Sequence, residues 1–156
     1  MKKFKTMMAM MLALVSMCVA FSSCSSDDDP VAVPAAKEIA GTYTGSLDMT
    51  VNGKTSTTDA QTFKIEAVDD ATIKVILPEC GSGHMTIPAL ELPAAKITGS
   101  NGAYAFALDS FTVTLNGKVY TGTLQGTFKD NTLTVNYTIQ PKGMPMSIIF
   151  KFVSKK

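Results

Sequence analysis

The sequence predicts an all-β domain, an eight- or nine-stranded antiparallel up-and-down barrel, preceded by a signal peptide and a flexible tether. Three observations predict it. Apolar and polar residues alternate at period two through most of residues 39–152. Turn signals such as Asn52-Gly53 and Asn116-Gly117 interrupt these runs at short intervals. Thr fills 18 of the 133 positions after residue 23, a β-branched residue suited to a pleated surface, while no ten-residue stretch holds a helical period.

Taken in order, Ile39, Gly41, Tyr43, Gly45, Leu47, Met49 and Val51 share one parity and form a half-buried first strand. Asn52-Gly53 turns the chain, and Phe63, Ile65 and Ala67 point inward on the return. Asp69-Asp70 makes the next turn, and Ile73, Val75 and Leu77 alternate through Ala71 to Leu77. Pro78 to Gly83 reads as a loop, after which Met85, Ile87 and Ala89 begin another strand. Pro88 to Lys96 is either a kinked strand or one helical turn, because Pro93 interrupts a helix-favouring composition. After the turn at Ser100-Asn101-Gly102, Tyr104, Phe106 and Leu108 alternate, then Phe111, Val113 and Leu115. Past Asn116-Gly117 come Leu124, Gly126 and Phe128, the Asp130-Asn131 turn, and Leu133, Val135, Tyr137 and Ile139. Pro141-Lys142-Gly143 precedes a last strand with Met146, Ile148, Phe150 and Phe152 inward. The amphipathic first and last strands are suited to pair and close the barrel, which removes exposed edges.

The first 23 residues differ in kind. Lys2, Lys3 and Lys5 precede an apolar run, Met7 to Phe21, whose one polar member is Ser16. As a helix this run reaches roughly 22 Å, short of the ~30 Å hydrocarbon core, so it reads as a secretory signal. Phe21-Ser22-Ser23-Cys24 resembles a bacterial lipobox, which implies cleavage before Cys24 and a lipid on its thiol. Ser25-Ser26-Asp27-Asp28-Asp29 then resembles the lipoprotein export signal of Bacteroidetes, which implies display on the outer face of the outer membrane. The expected organisation is a leader at 1–23, a lipidated cysteine with an acidic, Pro-containing tether at 24–37, and a barrel at 38–156.

Composition narrows the function. The whole chain carries a net charge of +1, but residues 24–156 hold 11 Lys against 13 acids, a net charge of −2. The chain has no Arg and no Trp. That balance argues against nucleic-acid binding. One His and no cysteine cluster give no expected metal or cofactor. Cys80 and His84 stand at CxxxH spacing, yet two ligands fall short of a zinc site. Asp69, Asp70 and Asp109 read as turn acids rather than paired catalytic carboxylates. No enzymatic constellation is expected.

Ile39-Ala40-Gly41-Thr42-Tyr43-Thr44-Gly45 opens the first strand with a Gly-x-aromatic motif. It resembles the lipocalin and wider calycin opening. The whole layout is similar to calycin-like barrel lipoproteins of Bacteroidetes over about residues 38–154. The resemblance implies non-catalytic binding of one small, partly apolar ligand inside the barrel. The inward aromatics Tyr43, Phe63, Tyr104, Phe106, Phe128, Tyr137, Phe150 and Phe152 are the candidate lining. An eight-stranded barrel is just wide enough either to hold such a ligand or to be filled by side chains. The alternative is therefore a packed barrel that presents loops to a surface protein, a glycan or a protease.

Overall fold

The computed structural model describes residues 33–156. The leader, Cys24 and the acidic cluster lie outside the described residues. A short helix, α1 (Ala35–Ile39), is followed by β1 (Gly41–Val51), β2 (Lys54–Ala67), β3 (Thr72–Leu77), β4 (Leu90–Glu91), β5 (Ala95–Ser100), β6 (Ala103–Leu115), β7 (Lys118–Lys129), β8 (Thr132–Pro141) and β9 (Ile148–Lys155). All ladders are antiparallel. β1 pairs with β9, and β2, β3, β5, β6, β7 and β8 complete a closed ring, with β4 added beside β3. The first and last strands thus close the barrel, as their amphipathic patterns require. Residues 35–37, expected in the tether, already belong to α1, where Ala36 and Ile39 are fully buried.

Turn chemistry sets the hairpins. Asn52-Gly53, Asn101-Gly102, Asn116-Gly117 and Asp130-Asn131 all hold both central residues at positive φ. This mirror-image turn matches the twist of the flanking strands. Alternate turns gather at opposite ends. One end holds α1, the Val68–Ala71 turn, Asn101-Gly102 and Asp130-Asn131. The other, the mouth, holds Asn52-Gly53, the long Pro78–Ala89 loop, Asn116-Gly117 and the 142–147 connection.

Two irregularities could not be assigned from alternation. The run from Tyr104 to Leu115 switches parity between Leu108 and Phe111 because β6 carries a bulge there against β7. Asp109 therefore sits at a bulge, not at a turn. The ambiguous Pro88–Lys96 segment is an interrupted strand: β4 and β5 both pair with β3, and the Leu92 N–H donates to the Val75 carbonyl across the Pro93 break.

Four inward assignments are corrected. Ala67 is exposed, since it lies at the end of β2 beside the turn. Met85 is 45% exposed, because Gly83–Met85 forms a 3-10 turn rather than a strand. Met146 is 37% exposed, because β9 begins only at Ile148. Ala89 is also exposed, and the strand expected there begins at Leu90.

Register threads the inward side chains into rows around the wall. One row runs Ile97, Phe106, Gly126, Val135, Phe152, Leu47. The next towards the mouth runs Leu108, Leu124, Tyr137, Phe150, Met49. Phe106 and Gly126 face each other directly, and the ring occupies the space a side chain at 126 would need. Burying each such ring contributes about 1.5–3 kcal/mol.

Candidate functional site

The candidate aromatics fall into two groups. At the α1 end, Tyr43 packs edge-on to Phe128 with ring centroids 6.3 Å apart. The Tyr43 hydroxyl donates to the Ile39 carbonyl at 2.7 Å, which ties β1 to the end of the helix. Burial raises the Tyr43 pKa. Lys156 places its ammonium 5.8 Å from the Tyr43 ring centre. The Tyr104 hydroxyl donates to Glu38, and this hydrogen bond raises its pKa. These contacts seal the α1 end.

Nearer the mouth, Phe63 stacks on Phe152 at 5.1 Å and Tyr137 stacks on Phe150 at 4.7 Å, with Phe63 and Tyr137 6.4 Å apart. Each pair is worth about 0.5–1.5 kcal/mol beyond its burial. Phe106 lies over Gly126 between the groups. The rings therefore fill the middle of the barrel by packing on one another.

A cavity of about 100 Å³ remains at the mouth. Its apolar walls are Leu47 and Met49 on β1 and Cys80 on the Pro78–Ala89 loop. Its polar walls are Thr58 and Gln61 on β2, with Glu79 and the Gly81 backbone. β2 pairs with β3 only through Lys64–Ala67, so the upper half of β2 has no neighbour on that side. The loop is held there by a pair of backbone hydrogen bonds between Cys80 and Ile87, at 2.8 and 3.0 Å. Gly81 and Gly83 take positive φ on either side of the bend.

Cys80 is 9% exposed, and burial, aided by the Glu79 charge, pushes its thiol up to about 11. A thiol this reluctant to ionise is a poor nucleophile. His84 lies on the exposed 3-10 turn while Cys80 faces inward. Among the described residues no three His, Cys, Asp or Glu side chains gather to hold a metal ion. The Asp69 carboxylate accepts from the Ala71 N–H at 2.9 Å, which lowers its pKa and assigns it to the turn. Larger depressions lie outside the barrel, one of about 430 Å³ over Ala105 and Ala107 on the outer wall.

A closed eight-strand meander with a helix across one end and a loop at the other now has a match. A family model for the calycin-like beta-barrel domain matches residues 39–155. The chain belongs to that family. Comparison with curated proteins and with solved structures finds no match. In this calycin-like barrel the Gly41-Thr42-Tyr43 opening has a structural role: Tyr43 joins the wall to the helix that covers one end.

Sequence reasoning did not find Thr58, Gln61, Glu79 or Cys80 as members of one cavity. Cys80 carried a usable signal, since cysteine is among the most buried residue types. Nothing local marks Thr58 or Gln61, because the bulge between Thr58 and Gln61 resets the facing of β2.

Proposed function

We propose that this calycin-like barrel is a non-catalytic binding module, held to a membrane by lipid on Cys24 and displayed on the cell surface. Its mouth accepts one end of a small, partly apolar molecule between β1, β2 and the Glu79–Gly81 loop. The observation that carries the reading is the 100 Å³ cavity with an apolar floor and a polar rim. Ligand sites combine these two wall types, apolar for affinity and polar for orientation. The stacked rings beneath set a limit on size: the cavity is smaller than one of 150 Å³ that holds benzene, so most of a larger ligand stays outside the barrel.

Native mass spectrometry of the protein purified from its own cells tests this. A retained small molecule supports it, and a bare mass at every concentration of added apolar probe counts against it. For the anchor, Cys24→Ala is expected to move the protein from the membrane to the soluble fraction, and protease added to intact cells is expected to digest the barrel. Retained anchoring or full protection would overturn that part.

A second reading, a loop-based interaction module for a protein, a glycan or a protease, is favoured by the filled interior and by exposed Met85 and Met146 at the mouth. Methionine is an adaptable contact residue. Mouth-loop variants that abolish partner capture while leaving small-molecule retention unchanged would select it.

A further inference from the structure

Tyr137 is 2% exposed, and among the described residues its hydroxyl has no hydrogen-bond partner. Tyrosine hydroxyls that are buried ordinarily have one. Its place in the barrel is specific. Tyr137 shares an inward row with Phe150 and Met49, and Met49 forms part of the mouth cavity. Cys80 walls the same cavity from the facing loop. Elsewhere in the core the buried hydroxyls of Tyr43 and Ser154 donate to the Ile39 and Thr44 carbonyls, each at 2.7 Å.

We infer that the Tyr137 hydroxyl is the polar anchor of the mouth site and donates a hydrogen bond to a neutral acceptor, a carbonyl or ether oxygen, on a ligand that enters beside Met49. This rests on the mouth-site reading above and adds the ligand's chemical class. A carboxylate is disfavoured, because no buried cation among the described residues would pair with it and Glu79 stands at the rim. A hydrocarbon lacking an acceptor would leave the hydroxyl unmatched. The Cys80–Ile87 pair of hydrogen bonds fixes the thiol on the wall of that cavity.

The test is an NMR titration of residues 25–156 alongside the full-length protein, with three probes of similar shape: cyclohexanone, methylenecyclohexane and cyclohexanecarboxylate. Shifts are read at the Met49 methyl and the Tyr137 ring. Cyclohexanone is expected to saturate and to bind more tightly than the other two. Tyr137→Phe is expected to weaken cyclohexanone by about two- to tenfold, the worth of one neutral hydrogen bond, and to leave methylenecyclohexane unchanged. Cys80→Leu, which fills the cavity beside Met49, is expected to abolish the Tyr137 shifts. Saturable cyclohexanone binding that is indifferent to Tyr137→Phe overturns the anchor but leaves the mouth site standing. Equal affinity for cyclohexanecarboxylate overturns the ligand class. Failure of every probe to shift Met49, with the hydroxyl satisfied by water alone, overturns both this inference and the mouth-site reading.

Discussion

Gly126→Ala sets two effects of opposite sign against each other. In a strand interior, replacing Gly by Ala ordinarily stabilises by about 0.5–1 kcal/mol, because Gly loses more backbone freedom on folding. Here a Cβ would lie 2.1 Å from Cζ and 2.2 Å from Cε2 of Phe106, whereas carbon contacts need about 3.5–4.0 Å. The ring must retreat by more than an ångström, yet Phe106 is 3% exposed and fixed in the core. Overpacking of this kind costs about 1–3 kcal/mol, so Gly126→Ala is expected to destabilise by roughly 1–2 kcal/mol. Urea unfolding of the barrel, with an unchanged m-value, reads it. In a Phe106→Leu background the clashing atoms Cζ and Cε2 are gone, and the same change at 126 is expected to become neutral or favourable. If Gly126→Ala costs the same in both backgrounds, the ring-over-glycine pairing does not govern this position and the reasoning is refuted.

Tyr43→Phe leaves the buried Ile39 carbonyl without its 2.7 Å donor and is expected to cost about 1–3 kcal/mol in denaturant unfolding. Tyr137→Phe removes a hydroxyl with no protein partner among the described residues, so it is expected to be neutral or stabilising in the same assay. A loss there equal to that of Tyr43→Phe would contradict the assignment. Asn131→Gly, at φ 57 in the one two-residue turn among these four that lacks glycine, is expected to stabilise by up to about 1 kcal/mol; thermal unfolding checks it. The raised Cys80 pKa means the folded state keeps a proton that the unfolded chain releases. Its stabilising contribution is therefore full below the ordinary thiol pKa of 9.0 and is lost as pH rises to about 11. Cys80→Ala is expected to flatten the stability profile across that window, and an unchanged slope would show that the thiol is not buried.

Much of the fold was legible because a strand with one wet face writes its orientation into every second residue. Tyr43, Phe63, Phe106, Phe128 and Phe150 all face inward for that reason, and the Asn-Gly pairs marked three hairpins because both positions need positive φ. Where a bulge resets the count, as after Leu108 and near Gln61, alternation misleads. At Met85 and Met146 hydrophobicity implied burial, but both residues lie in loops.

The sequence by itself determined strand character, facing and turns, since these depend on neighbours within a few residues. Only the tertiary structure decided what the barrel contains. Whether the inward rings enclose a void or fill it depends on strand tilt and register, which bring Phe152 onto Phe63 and Phe106 over Gly126. Packing likewise decided that Cys80, on a glycine-containing loop, should wall one cavity with Leu47 and Met49 from a strand about thirty positions earlier. Contacts at that separation arise from closure of the sheet, and no local pattern encodes them.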